Sequence, residues 1–194
     1  MALKESNEIT VKIKCGIDEL YKILEEKGFK VNHKFSMDDT YFIPEALNLD
    51  KMTTREILSK AVLVRKIIGK TSGKVSKKIT VKIKHFDEYG NILSQKSVNC
   101  DINSTDDAKT LLIAMGYIEI MNIKENDIVY EKDGLELAIK DICGGDNLIE
   151  IETNDCFDTV DKLIQKVKEF EIPFYEDNFF VKKAEIELDK VLNR

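Results

Sequence analysis

The sequence predicts an α+β protein built on a large antiparallel sheet or barrel of roughly eight or nine strands with helices between them. Three observations lead to this prediction. Several segments alternate between polar and apolar residues, as half-buried strands do. The pairs Asp133-Gly134 and Gly144-Gly145 mark tight hairpin turns between such segments. Other segments space their apolar residues as a helix does and carry capping residues at their ends.

The elements of the first half begin with a strand that alternates cleanly, with Glu8, Lys12 and Lys14 on its polar face. Thr53 and Glu56 form a capping-box pattern that starts a short helix. In chain order, we predict a strand at 8–14, a helix from 17 to 28, strands at 29–35 and 39–43, the short helix, and an apolar strand at 61–68 that carries Arg65.

The second half begins with another alternating strand, which places Lys82 and Lys84 on one face. Its Ile-Thr-Val-Lys-Ile-Lys segment is identical to residues 9–14, which indicates either a duplicated half-barrel or ordinary strand alternation; we favour the second. The remaining predicted elements are strands at 78–84 and 96–102, a helix after Ser104, strands at 118–124, 127–132, 135–142 and 148–153, and two helices separated by Pro173. Because there is no low-complexity linker, residues 1–194 are predicted to form a single domain.

The polar faces of these strands carry lysines and glutamates. This pattern fits either a barrel with a charged, wet interior or an open sheet with one solvated face. Patterning alone favours the open sheet, because antiparallel sheets commonly expose one face to water.

Composition excludes several classes of function. The formal net charge of −6 does not suit a nucleic-acid-binding protein, so an anion would need a local basic pocket. The N-terminus shows no signal peptide, and no apolar run approaches the roughly 20 residues that span a bilayer. A cytoplasmic protein without a membrane partner is therefore expected, and its four cysteines are expected to be reduced.

Two kinds of site are excluded by spacing. His33 and His85 are too few and too isolated for a zinc site or a histidine-centred triad. The segment from Gly69 to Lys74 contains fragments of a phosphate-binding P-loop, but the required spacing of glycine and lysine is missing and no amphipathic helix follows.

The order of several short motifs resembles the CYTH, or triphosphate tunnel, family over nearly the whole chain. This family includes class IV adenylyl cyclases, thiamine triphosphatases and inorganic triphosphatases. The segments that carry the resemblance are Glu8-Ile9-Thr10-Val11-Lys12, Asp39-Thr40-Tyr41-Phe42-Ile43-Pro44, Ala61-Val62-Leu63-Val64-Arg65, Thr80-Val81-Lys82 and Leu148-Ile149-Glu150-Ile151-Glu152. The resemblance implies an antiparallel β-barrel, or tunnel, of about eight strands with flanking helices.

The sequence departs from the family pattern at several motif positions. Thr10 and Leu63 stand where the family has a second glutamate and a first arginine, and Lys140 lies where an aspartate is common. The other departures are Ile43, Val98 and Cys100 in place of acids and Asp127 near the place of an arginine. These changes affect the expected chemistry more than the expected fold.

The resemblance also implies a set of site residues. It assigns Lys12, Arg65 and Lys82 to catalysis on a triphosphate and Lys14, Lys84 and Lys96 to substrate binding. Glu8, Glu150 and Glu152 are the implied ligands of Mg²⁺ or Mn²⁺, hard cations that prefer oxygen donors. Arg65 is the strongest candidate from the residues themselves, since a charged side chain in an apolar strand needs a partner.

The function implied by the resemblance is metal-dependent hydrolysis of a triphosphate. Two alternatives remain open: a polyphosphate- or nucleotide-binding protein that has lost turnover, and a class IV adenylyl cyclase. The expected partner is a small-molecule triphosphate or polyphosphate. A barrel with a merely solvated polar face is the remaining interpretation without a site.

Overall fold

The computed structural model describes residues 8–86, 88 and 92–194. Within these ranges the chain forms eight strands, five α-helices and a 3-10 turn at Leu49–Lys51. The strands are β1 (Glu8–Lys12), β2 (Lys30–Pro44), β3 (Val62–Gly69), β4 (Val75–Phe86), β5 (Ile92–Asp101), β6 (Tyr117–Lys132), β7 (Leu135–Ile142) and β8 (Asn147–Glu152). The helices are α1 (Ile17–Glu26), α2 (Thr54–Leu58), α3 (Thr105–Ala114), α4 (Val160–Glu169) and α5 (Lys183–Leu192).

All eight strands belong to one antiparallel sheet in the order β1-β8-β7-β6-β2-β3-β4-β5. The predicted α+β class with an antiparallel sheet of about eight strands and flanking helices is confirmed. The ladder among the described residues does not close, since β1 and β5 lie at the two ends of the order. The sheet is nevertheless strongly curled. Strand β1 is at one end of the order and β4 is next to the other end, yet side chains from both line the same cavity.

Two predicted pairs of strands are each a single long strand. The segments at 29–35 and 39–43 join as β2, and those at 118–124 and 127–132 join as β6. The polar residues between the segments do not interrupt pairing, because β2 and β6 bond to each other along their length and absorb two register shifts. The Asp133-Gly134 turn connects β6 to β7 as predicted, and both of its residues have positive φ.

The convex face of the sheet is covered by helices at two places. Helices α1 and α4 pack on the convex side of β1, β8 and β7, where Ile9, Ile149 and Leu137 are fully buried. Helix α3 packs on β2 and β3 through Ala108 and Leu112. The alternation seen in the sequence thus directs apolar residues outward, toward the helices.

The concave face is partly apolar and is covered by α2 and α5. Tyr41, Leu63 and Leu148 from the sheet pack with Ile57 of α2 and Leu188 of α5. The segment before α5 also runs along the outer edge of β1. There the Thr10 amide donates to the Phe179 carbonyl oxygen, and the Thr10 carbonyl oxygen accepts from the Val181 amide. The concave surface that remains outside this apolar cluster carries charged side chains.

None of the helices in the described ranges combines the length and the apolar character needed to cross a membrane.

Candidate functional site

The concave face contains a cavity of about 330 Å³. Glu8 and Thr10 of β1, Arg65 of β3, Lys82 of β4 and Glu150 of β8 line it. These strands come from both halves of the sheet, so curling of the sheet is what brings the side chains together. The segment 180–185 and the residues around α2 complete the wall.

Arg65 and Asp39 form a two-bond ion pair inside the curl. They are directly opposite each other in the β2–β3 ladder. The Arg65 Nε and Nη2 atoms donate to the two Asp39 carboxylate oxygens at 2.7 Å and 2.5 Å. Burial alone would lower the pKa of Arg65, but the Asp39 carboxylate raises it, so the guanidinium stays charged.

A second ion-pair group is buried deeper and centres on Lys140 of β7. Its ammonium lies 2.7 Å from Asp127, 3.2 Å from Glu150 and 3.6 Å from Glu125. The side chain of Lys140 is 7% exposed, and those of Asp127 and Glu125 are 0% and 1% exposed. Burial disfavours the charged lysine, yet the three carboxylates raise its pKa above the ordinary value.

Lys183, the first residue of α5, contributes another ammonium to the same group. Its Nζ donates to Glu125 Oε2 at 2.7 Å and lies 3.8 Å from Glu150 Oε1. The two lysines therefore face both carboxylate oxygens of Glu150. Although burial opposes ionisation of Glu150, the charges of Lys140, Lys183 and Lys82 lower its pKa.

We refer to Glu125, Asp127, Lys140, Glu150 and Lys183 as the buried ion cluster. Within it, Glu125 Oε1 and Asp127 Oδ1 are buried and accept no hydrogen bond from the described part of the chain. Burial raises the pKa of Asp127 to about 7, because the charge of Glu125 adds to the effect and Lys140 offsets it only in part. The cluster thus has one carboxyl group that is poised to take up a proton near neutrality.

Two glutamates lie opposite each other beside the cluster. Glu8 of β1 and Glu152 of β8 are directly paired in the ladder. Partial shielding of its carboxyl group from water raises the pKa of Glu152, although the residue as a whole is exposed. The charges of Glu8 and Glu150 add to this effect, while Lys82 opposes it. Repulsion between these carboxylates favours either a proton or a cation between the two strands.

The structure brings four of the nine predicted site residues to the cavity wall: Glu8, Arg65, Lys82 and Glu150. Glu152 is exposed beside Glu8. Lys12 is exposed at the end of β1 and pairs with Asp146 at 2.9 Å, while Lys14 lies over the Tyr175 ring.

The two remaining predicted lysines lie on the strands β4 and β5. Lys96 is opposite Ile83 in the ladder, whereas Lys82 is opposite Ser97. Because residues opposite each other share a face, Lys96 lies on the convex face, away from Lys82. The side chain of Lys84 lies outside the described part of the structure.

Sequence reasoning missed the roles of four charged residues. Asp39 was part of a recognised segment, and its place opposite Arg65 depends on the register of β2 and β3. Glu125 and Asp127 continue the alternating buried positions that Met121, Ile123 and Val129 fill with apolar side chains. These acids are a usable signal, since two buried carboxylates need cationic partners. Lys183 offered no signal, because a lysine at the start of a helix is usually solvated.

The predicted metal ligands do not form a preformed site. Within the described ranges, no three side chains of His, Cys, Asp or Glu are grouped so that they could hold a metal ion. Glu150 is engaged by the lysines, so a metal would have to displace them. Glu8 and Glu152 fit a cation that also takes phosphate oxygens, because Mg²⁺ in proteins commonly uses one or two carboxylates together with substrate phosphates.

No known family model matches this sequence, and no curated protein matches it either. Solved structures do match its fold. The protein PH1819 of Pyrococcus horikoshii is 20% identical, with a TM-score of 0.70 over 95% of this chain and 99% of that chain.

Two further matches carry a description of activity. A candidate adenylate cyclase of Vibrio parahaemolyticus is 13% identical, with a TM-score of 0.63 over the whole of both chains (100% of each). A candidate adenylyl cyclase of Hippeastrum, described as having a dominant triphosphatase activity, is 14% identical, with a TM-score of 0.61 over 96% of each chain. At these identities the comparisons establish that the chain shares the fold of these structures, and nothing more.

Proposed function

We propose that this chain binds a triphosphate in the cavity on the concave face of its sheet. The observation that carries the proposal is the charge of the cavity wall. The wall residues with cationic side chains are Arg55, Lys60, Arg65, Lys82, Lys182 and Lys183, and those with acidic side chains are Glu8, Glu150 and Glu185. A chain with a net charge of −6 therefore gathers cations in one enclosed place.

Arg65 and Lys82 are the proposed phosphate contacts. The two bonds from Arg65 to Asp39 hold the guanidinium in place and use two of its five N–H donors. A guanidinium that is already oriented loses little side-chain entropy when it binds phosphate oxygens. Lys82 projects from the neighbouring strand into the same cavity and would act as a point charge.

The proposed activity is hydrolysis of the terminal phosphate with Mg²⁺ or Mn²⁺. Glu8 and Glu152 would hold the cation together with phosphate oxygens, and the cation would neutralise the charge that develops on them. Arg65 and Lys82 would stabilise the same charge from the other side. The triphosphatase activity described for the Hippeastrum structural neighbour supports this choice of reaction.

A second candidate is triphosphate binding without turnover. The contacts of Glu150 with Lys140 and Lys183 favour it, because they engage one of the three predicted metal ligands. Adenylyl cyclase activity is a third candidate, supported by the descriptions of the Vibrio and Hippeastrum neighbours.

Calorimetric titration with tripolyphosphate and with ATP tests the binding. We expect saturable binding that Lys82→Ala weakens about tenfold or more, the loss typical of one hydrogen bond to a charged group. Lys77→Ala is the matched control, since Lys77 lies on the same strand but bonds to the Asn103 carbonyl oxygen. The absence of saturable binding of either compound would contradict the proposed function.

Product analysis separates the three candidates. The same samples are incubated with Mg²⁺ or Mn²⁺ and assayed for phosphate and for cyclic AMP. Phosphate release that Lys82→Ala abolishes identifies a hydrolase, and cyclic AMP identifies a cyclase. Binding without either product identifies the binding protein.

A further inference from the structure

The environment of Lys140 is the starting point of a further inference. Its ammonium is surrounded by three carboxylates from three positions on two strands, at 2.7–3.6 Å. A single cation that faces several carboxylate groups in a nearly dry interior is the arrangement that proteins otherwise use for a metal ion. Here the cation is part of the chain.

Lys183, which lies outside the sheet, adds a second positive charge that offsets the negative charges of Glu125 and Glu150. It reaches Glu125 and Glu150 from the first turn of α5 and is itself only 13% exposed. The position of α5 is secured independently, because Arg55 of α2 donates two hydrogen bonds to Glu185 and Leu188 is fully buried. The ammonium is therefore held in place by the packing of a whole helix.

The charges of the cluster affect how strongly the adjoining cavity binds an anion. Without the two ammonium groups, Glu125, Asp127 and Glu150 would repel a triphosphate that enters the adjoining cavity. A bound divalent cation would then be needed to cancel that repulsion. Two tethered ammonium groups cancel most of it before any ligand arrives.

We infer that Lys140 and Lys183 are built-in counter-cations of the concave face, so that the cavity takes a triphosphate free of divalent metal. The inference rests on the proposed function and adds the form of ligand that the cavity accepts. It concerns binding alone; a metal cofactor for hydrolysis is a separate question.

The wild-type protein gives the first test. Tripolyphosphate is titrated into the protein by calorimetry, once with EDTA and once with Mg²⁺ in excess. We expect dissociation constants that agree within about threefold, a difference below 1 kcal/mol. Binding that appears only with Mg²⁺ would overturn the inference and leave the proposed function standing. No binding under either condition would overturn the proposed function itself.

A lysine variant gives the second test. Lys183→Met keeps an unbranched side chain without the ammonium group, and it leaves Glu125 and Glu150 with Lys140 as their remaining partner in the cluster. We expect binding in EDTA to weaken about tenfold and Mg²⁺ to restore most of the loss, since the unpaired carboxylates then require an added cation. Lys183→Arg, which keeps the charge, should stay indifferent to Mg²⁺.

Lys190→Met is the matched control. Lys190 lies on the same helix and forms an exposed pair with Glu187 at 2.7 Å. The dissociation constants of Lys190→Met for tripolyphosphate should equal those of the wild type, both with EDTA and with Mg²⁺. A Lys183→Met protein that binds equally well with EDTA and with Mg²⁺ would contradict the role of Lys183. If Lys183→Met does not melt cooperatively, the inference is tested by the wild-type titrations with EDTA and with Mg²⁺ and by the same titrations of Lys183→Arg.

Discussion

Lys140 shows at the residue scale how a residue that departs from a motif the sequence resembles can have a structural role. A carboxylate is common at this position in the related motif, yet here the lysine pairs with Asp127 and faces Glu125 and Glu150. Each of these carboxylates would be an uncompensated buried charge without a cation nearby. The lysine at position 140 therefore compensates the charges of the three acids around it.

Lys140→Met should strongly destabilise the protein. Removing Lys140 takes away the ion-pair partner of Asp127 and leaves Glu125 and Glu150 with Lys183 as their remaining partner in the cluster. Breaking a buried ion pair in this way typically costs about 3–5 kcal/mol. Urea unfolding followed by circular dichroism measures the change. Lys162→Met is the control, because Lys162 forms an exposed pair with Asp158, which water screens. Equal stabilities of the two variants would show that the cluster contributes nothing.

Asp127 should make stability depend on pH. Burial raises its pKa from 3.8 in the unfolded chain to about 7 in the folded protein, so the folded state binds more protons between these values. Stability then decreases as pH rises through this window and is constant above it. The pKa of Glu150 is lowered instead, so its contribution is lost only as pH falls below the ordinary value of 4.5.

Asp127→Asn isolates this effect. The variant has no ionisable group at the position, so its unfolding free energy should fall less steeply than that of the wild type between pH 4.5 and about 7. Urea midpoints across this range give the comparison. Parallel pH profiles of the two proteins would exclude Asp127 as the responsible group.

Helix α2 matters at the element scale because it borders the cavity and yet has only five residues. Its start is secured by a capping box in which Thr53 and Glu56 exchange hydrogen bonds. The Thr53 amide donates to Glu56 at 2.7 Å, and this contact lowers the pKa of the Glu56 carboxyl. A helix this short has little stability of its own, so it depends on its cap and on α5.

Thr53→Ala should therefore destabilise the protein by about 1 kcal/mol, the usual loss for an N-cap residue. Because Arg55 and Leu58 of α2 line the cavity, we expect the affinity for a triphosphate to fall as well. Thermal unfolding and calorimetry measure the two effects. Thr110→Ala, at an exposed position inside α3, is a matched control that should not destabilise the protein and should leave triphosphate affinity unchanged.

At the scale of the whole molecule, an acidic chain with a cationic cavity should bind anions through a local field. Charges farther away than the Debye length, about 10 Å at 0.1 M salt, are largely screened. Lys82→Glu and Lys162→Glu each change the net charge of −6 by two units. We expect the first to abolish tripolyphosphate binding and the second to leave it within about twofold at that salt concentration. Equal losses would indicate a response to net charge alone.

The sequence by itself determined the class of fold and most of the strands. Alternation predicted β1 and β4, because a sheet with one apolar face imposes a period of two. The pairs Asp133-Gly134 and Gly144-Gly145 located two turns, and the capping residues Thr53 and Ser104 located two helix starts. Turn and capping preferences act over only a few residues, so they can be read from the sequence. Strand parity also predicted that Arg65 and Lys82 point inward, and both side chains line the cavity.

Only the tertiary structure decided which charges meet. Contacts of Lys183 with Glu125 and of Arg65 with Asp39 join residues that are far apart in the chain. Register decides such contacts: Lys96 has the charge expected of a site residue but lies opposite Ile83, on the convex face. A shift of one residue exchanges the faces of a strand, so composition cannot reveal whether a lysine is solvated or buried among carboxylates.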